Sequence, residues 1–242
     1  MTSQQSQFHP LEVNPETGEP FLRLPAPHQS IIITPPREGD QSTLMQYLND
    51  PAIFGWIDES PVPFLPKHAD LWVQFVKGQS DAILEYLRKS EEKFPNGPLQ
   101  FVDACPVRHI REVKENGTDV LIGDFAFGRG SFEEVLDGVE RKQMQEENAY
   151  KKAGDPTIQF SVGFWLAASH RGRGITTAAL GLLMSVWAIP RMGARHIAPH
   201  TFAGNIGSDR VIEKNGFVNR GSIDNGTVVR GEKKILTLFE WK

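Results

Sequence analysis

Ile158-Gln159-Phe160-Ser161-Val162-Gly163-Phe164-Trp165-Leu166 puts an apolar residue at every second position. Period two is the signature of a strand with one buried face. A short polar loop follows, and then Ile175 to Ile189 places Ala179, Leu183, Val186 and Trp187 at helical spacing. Pro190 and Gly193 mark that helix's end. The order is therefore strand, glycine-bearing loop, helix, and the loop is the part with chemical content.

In Ser169-His170-Arg171-Gly172-Arg173-Gly174-Ile175-Thr176 the small residues let the backbone curl, so that successive N–H groups point into one concavity. Such a nest binds anions, and a helix starting there adds its orphan donors and the positive end of its dipole. Arg171 and Arg173 bring full charge suited to a diphosphate, and Thr176 and Thr177 bring hydroxyl donors. A Walker loop is excluded because its Gly-Lys-Ser/Thr is missing. A dinucleotide fingerprint is excluded because Ala178 stands near the third glycine position and no alternating strand–helix pattern follows.

Bulk composition narrows the class. The chain has 242 residues, 39% hydrophobic, enough for one sizeable core. Its 26 basic and 30 acidic residues leave −4, with no electrostatic footprint for nucleic acid or an anionic membrane. A single cysteine, Cys105, allows no internal disulfide and fits a reducing compartment. No apolar stretch suggests a membrane span and Met1 to Pro10 is too polar for a signal peptide, so a cytoplasmic protein is expected.

Outward from the loop, the pattern reads as an N-terminal arm over 1–30 and one domain over 31–242. Phe21, Leu22 and Leu24 are the arm residues able to dock. Ile31-Ile32-Ile33 is a first strand, followed by helices from Asp40, from Lys67 and from Ser80 to Phe94, the last stopped by Pro95-Asn96-Gly97. Strands are predicted near Leu99 to Val107 and Val120 to Phe127, with a turn at Asn116-Gly117. Segment 131–155 is a charged surface helix inserted between strands, with a lid or a homodimer contact as its alternative uses. Ala194 to Thr201 reads as a strand and Ile206 to Asn215 as a helix closed by Gly216. Asn225-Gly226 predicts a hairpin turn, and Ile235 to Trp241 a last strand.

The run Arg-x-x-Gly-x-small after an alternating strand resembles the coenzyme A loop of the GNAT superfamily of N-acyltransferases. Asn205-x-x-Ser208-x-Arg210-Val211-x-Glu213-Lys214-x-Gly216-Phe217 is similar to a second signature, found in that superfamily's ribosomal-protein N-terminal acetyltransferases. Both motifs occur in the right order, and the resemblance is carried by residues 158–217. It departs from the subgroup at Thr176, usually Gly or Ala, and at Ala178, often Glu. Ile212 occupies the position where many relatives carry a tyrosine general acid.

The resemblance implies an α+β, three-layer α/β/α fold with a mixed, mostly antiparallel central sheet flanked by helices. It implies acetyl-CoA as co-substrate, no metal, and a primary amine acceptor, either a protein N-terminus or a small molecule. Pantetheine would lie between the strand ending near Leu166 and the strand Ala194 to Thr201. The Leu166 N–H would stabilise the thioester oxyanion, Asn205 would bond the pantetheine arm, and Ser208 would serve the leaving thiolate, against the plainer reading of both as helix-capping residues. The loop residues Arg171, Gly172, Arg173, Gly174, Ile175 and Thr176 would hold the phosphates. The amine must attack neutral, so a base is needed; Asp103, Asp124 and His200 are the candidates. His196 and His200 would lie about 13 Å apart in a strand and are not a metal pair. Glu213 and Lys214 read as a solvated helix end, and Arg108, His109, Arg111 and Lys114 as a solvated loop. A non-catalytic acyl-CoA-binding or interaction module is the alternative reading.

Overall fold

A computed structural model describes residues 5–58, 60–95 and 97–242. Met1 to Gln4 of the expected arm and Asn96 of the expected helix stop lie outside the described residues.

Seven strands form the main sheet in the order of the chain. They are β1 (Glu12–Val13), β2 (Pro20–Arg23), β3 (Ile31–Thr34), β4 (His109–Val113), β5 (Asp119–Arg129), β6 (Gln159–Leu166) and β7 (His196–Ile197). Every pairing is antiparallel except β6 with β7, which is parallel. The segment before Ile31 docks through the three residues able to do so: Leu22 pairs with Ile33, and Phe21, Leu22 and Leu24 are buried.

Between β3 and β4 lie α1 (Gln41–Leu48), α2 (Pro51–Phe54) and α3 (Pro66–Lys93). Asp50 caps α2, accepting the Ala52 N–H at 2.9 Å, and Pro51 and Pro66 open their helices with a φ already helical. The two helices expected from Lys67 and Ser80 are one of 28 residues. Gly78 weakens helix propensity by only about 1 kcal/mol, and the buried stripe Ala69, Val73, Val76, Ser80 and Leu87 runs unbroken past it. Leu99 to Val107 forms no strand. Pro98 and Pro106 deprive it of donors, and it is pinned instead by Val102 N–H to Arg191 O (2.9 Å) and Trp187 Nε1 to Ala104 O (3.1 Å).

The insertion holds α4 (Gly138–Tyr150), capped by Asp137 on the Val139 and Glu140 N–H groups. After β6 comes the helical run α5 (Ile175–Leu183), a π turn (Met184–Ala188) and α6 (Ile189–Met192), closed by left-handed Gly193 at φ 70°. Pro190 does not end it, because the wide π turn precedes the proline and the helix resumes with Pro190 in its first turn. Ile175–Met192 is by length and composition apolar enough to cross a membrane. Here it is the core helix of the fold, with Ala179, Leu180 and Trp187 fully buried.

The predicted strand Ala194 to Thr201 is split by Ala198-Pro199. β7 stays with β6, while β8 (His200–Phe202) joins a second sheet of order β8-β12-β9. Its other members are β9 (Val218–Ile223) and β12 (Leu236–Glu240), and α7 (Ile206–Lys214) connects β8 to β9. The hairpin expected at Asn225-Gly226 forms later, between β10 (Val228–Val229) and β11 (Glu232–Lys233). Arg230 and Gly231 turn it, both with positive φ. Helices thus cover both faces of a mostly antiparallel sheet.

Candidate active site

β6 and β7 pair only at Gln159–His196 and Phe160–Ile197; the next link, Ala198 N–H to Phe160 O at 2.8 Å, is the last. Beyond it β8 turns to β12, bonded to it at Leu236, Thr237 and Leu238. A gap opens between β6 and β8. The ladder with β5 shows what faces that gap. Gly130 N–H bonds Gln159 O and Ala167 N–H bonds Ile122 O, so the odd-numbered residues of β6 direct their main-chain groups to β5. The N–H and C=O groups of Val162, Phe164 and Leu166 therefore face the gap, as Phe160 does one step earlier.

A cleft of about 1270 Å³ passes through this opening. On one side it is lined by Gly172, Gly174, Ile175, Thr176, Asn205 and Ser208. Gly172 and Gly174 have φ of 73° and 82°, a region costly to other residues, and Gly174 is the N-cap of α5. An added Cβ at Gly172 would meet nothing within 4 Å, so the concavity over the loop is open. Backbone donors at a helix N-terminus, next to an open strand edge, suit a phosphate-bearing ligand with an extended arm.

Charge at this cradle comes from a different set than the loop pattern suggests. Arg171 is engaged by the protein: Nε donates to Leu166 O and Nη2 to Ala52 O, each at 3.0 Å. It fastens α2 to the end of β6. Arg173 is exposed and lies outside the cleft lining. Arg210 and Lys214 of α7 line the cleft, although Lys214 read as a solvated helix end. Asn205 is the N-cap of α7, its Oδ1 accepting the Ser208 N–H at 3.3 Å. Ser208 is therefore not the capping side chain. Its hydroxyl makes no hydrogen bond among the described residues and it lines the cleft.

On the other face of the sheet the cleft has a floor of small residues, Ala126, Gly128, Ser161 and Gly163, and walls from Trp56, Trp72 and Phe75. The candidate bases separate here. His200 and Asp124 line the cleft; Asp103 does not, being exposed and paired with Arg129 at 2.8 Å. Asp124 is buried and both its oxygens are held by Arg108, Nε to Oδ1 and Nη2 to Oδ2, each at 2.7 Å. Burial pushes its pKa up, but the charge and hydrogen bonds of Arg108 outweigh that and leave it below the usual carboxylate value. Such a carboxylate is a poor resting base. Arg108 also lies over Trp72, 5.4 Å from the ring centre.

The basic run beside it is the clearest correction. Arg108, His109 and Arg111 are not a solvated loop: His109 and Arg111 are buried on β4, against Asp40 from the turn entering α1. Each partner is remote in the chain, which is why a local reading of charges missed them. Cys105 is half-buried against the main core, and desolvation there raises its thiol pKa to about 12, so it packs rather than reacts. Among the described residues no group of three or more His, Cys, Asp or Glu gathers to hold a metal.

A family model for the acetyltransferase (GNAT) domain matches residues 30–218. The chain belongs to the GNAT acetyltransferase family and is an acyltransferase. Solved structures support the fold. A GNAT-family acetyltransferase from Bacillus anthracis is 14% identical at TM-score 0.59, covering 91% of this chain and 97% of its own. Ribosomal-protein-S5-alanine acetyltransferase from Vibrio fischeri is 15% identical at TM-score 0.55, with 91% and 95% covered. Mycobacterium smegmatis RimJ, solved in complex with CoA-disulfide, is 18% identical at TM-score 0.54, with 92% and 86% covered. No curated protein matches the chain.

Proposed function

We propose that this protein is a cytoplasmic N-acetyltransferase that transfers the acetyl group of acetyl-CoA to a primary amine by direct attack on the thioester. The observation that carries this reading is the gap between β6 and β8, which leaves the main-chain groups of Val162 and Phe164 and the N–H of Leu166 open beside the α5 cradle. The diphosphate would rest on the N–H groups of Gly172 to Thr176, with Arg210 and Lys214 neutralising it from the cleft wall and Arg173 adding charge from outside the lining. The pantetheine arm would lie along the open edge of β6. The Leu166 N–H is the oxyanion donor, and it gains strength as charge develops on the thioester oxygen.

The amine enters over the small-residue floor. Its nitrogen bonds the carbonyl carbon, the C–S bond breaks, and a proton reaches the departing sulfur through the Ser208 hydroxyl. Holding both partners in one cleft provides most of the rate. Of the titratable groups lining the cleft, His200 and Asp124 are the two assigned to meet the amine's proton. The single cysteine supports a reducing setting, and the net charge of −4 favours no nucleic-acid partner.

A thiol-release assay across amines and N-terminal peptides, paired with calorimetry against acetyl-CoA and ATP, tests this. Acetyl-CoA binding with release on at least one acceptor is expected. Binding without release on any acceptor would favour a non-catalytic acyl-CoA module, and ATP binding alone would overturn both.

A further inference from the structure

Behind Asp124 stands a group that the fold has enclosed and left half-bonded. His109 is fully buried, at 0% exposure. Its Nδ1 lies 2.8 Å from Asp40 Oδ2, while its Nε2 has no hydrogen-bond partner among the described residues and sits 3.8 Å from Asp124 Oδ1. A buried, unpartnered nitrogen is costly unless it does something. This one is directed at a carboxylate that lines the cleft.

The charges around the ring are few. Asp40 faces it from the turn entering α1, and Asp124 faces it from β5. Arg111 holds Asp40 through both oxygens at 2.7 Å, and Arg108 holds Asp124. β3 contributes the neutral Thr34 hydroxyl, which accepts from Arg111, and α3 contributes Trp72 against Arg108. Asp40 is held ionised, so the Nδ1 of His109 carries hydrogen and Nε2 is the site left to gain or lose one.

We propose that His109 is a positioning residue for acyl transfer, and that through Asp124 it stores the proton shed by the incoming amine. This rests on the reading of the cleft as an N-acetyltransferase site. The acceptor arrives as an ammonium ion against Asp124. Its N–H bond breaks as an O–H bond forms on Asp124; that bond breaks in turn as an N–H bond forms at His109 Nε2. The neutral amine is left to attack, and the imidazolium rests between two carboxylates. Asp124 has lone pairs beyond the two that Arg108 occupies, so the ion pair does not block the transfer. The 3.8 Å separation closes to hydrogen-bond length with a shift of about 1 Å, which the protonated ring favours and the neutral ring does not.

Two measurements separate this proposal from the function beneath it. The first needs no acceptor: imidazole nitrogen NMR of the whole chain against pH, in wild type and Asp124→Asn. Loss of the carboxylate should lower the His109 midpoint by about one pH unit or more, a tenfold loss of proton affinity. An unchanged midpoint overturns the proposal whatever the enzyme's activity. The second uses His109→Asn, whose amide keeps a donor for Asp40 but has nothing at the Nε2 position. On any amine that releases thiol, kcat should fall about 100-fold and its acid limb should flatten, with acetyl-CoA affinity unchanged. Wild-type kcat and pH profile in a folded His109→Asn would equally overturn it. If no amine releases thiol, the acetyltransferase reading fails, and the NMR titration still decides whether the two groups are linked.

Discussion

Arg171 bonds the carbonyl of Leu166 from five residues downstream, its Nε 3.0 Å from the oxygen, and its other arm reaches Ala52 O. A side chain that the loop pattern offers to phosphate is thus used to fix the strand end where the thioester is to be polarised. The guanidinium fork joins β6, the loop and α2, so the Leu166 peptide cannot rotate freely. Arg171→Ala removes two charge-assisted hydrogen bonds, each worth about 1.5–3 kcal/mol when buried and less here, where one contact is exposed. A loss of about 2 kcal/mol in denaturant unfolding is expected. Turnover should fall further than acetyl-CoA affinity, because the oxyanion donor is displaced while the phosphate cradle is not.

Arg173 has the opposite profile. It is exposed, makes no hydrogen bond among the described residues, and sits between the two glycines with positive φ. Arg173→Glu should leave the melting temperature unchanged and weaken acetyl-CoA binding about tenfold at low salt. The difference should shrink as ionic strength rises, since exposed charges are screened within about 8–10 Å. Calorimetry at two salt concentrations checks it; equal affinity in wild type and variant at both would remove the loop from the phosphate site.

The Asp40 network makes stability depend on acid pH in a calculable direction. Burial works to raise the pKa of Asp40, but bonds from His109 and Arg111 bring it down from 3.8 to about 2. A depressed carboxylate contributes stability above its unfolded value and loses it as pH falls through the folded one. Roughly 2 kcal/mol is therefore present at pH 5 and lost between about pH 4 and pH 2. Asp40→Asn should lose more than this at neutral pH, about 3 kcal/mol, because buried Arg111 keeps only its longer ion pair with Asp119, at 3.5 Å. Urea unfolding of both proteins across that window should show a steeper slope in wild type than in the variant, where Asp124 and Glu240 still contribute theirs.

How much of this was legible in the sequence follows from where each signal is stored. The β6–loop–α5 unit was readable because period two, two glycines and period 3.6 follow each other without interruption. The α7 cap and its closing Gly216, at φ 84°, were local in the same sense. Arg108, His109 and Arg111 were not, since their carboxylate partners are 16, 69 and 71 residues away and the run reads alone as solvated. Leu99 to Val107 misled because two buried valines imitate a strand that Pro98 and Pro106 forbid. The role of Arg171 was hidden for a further reason: a guanidinium near a glycine loop suits phosphate and carbonyl oxygen equally, and only the position of α2 decides between them.

Of the two residues that could cap α7, Asn205 takes the task and Ser208 does not. Asn205 caps α7 through its side chain, so Ser208 is released from that task and its hydroxyl stays available in the cleft. Ser208→Ala should therefore leave helix stability and acetyl-CoA affinity unchanged while lowering kcat about 10²-fold, the contribution of one positioned acid. Asn205→Ala should cost about 1 kcal/mol in stability through the lost cap. Thermal melts and single-turnover rates on the two variants separate the roles; a stability loss in Ser208→Ala with normal turnover would reverse the assignment.

Gly163 tests the floor of the cleft without touching its chemistry. It lies in β6 between Val162 and Phe164, is exposed, and a Cβ built on it meets nothing within 4 Å. Its φ is not in the left-handed region, so a β-branched residue is compatible with the strand and favoured by it. Gly163→Val should hold or raise stability, within about 0.5 kcal/mol. The added methyl groups enter the cleft beside Ser161 and Ala126, across which the acceptor must pass. KM for the amine should rise and kcat/KM fall about tenfold or more, with acetyl-CoA binding intact, because the obstruction lies on the face of the sheet away from the α5 cradle. A variant that kept full kcat/KM on every acceptor would mean that the amine approaches by another route.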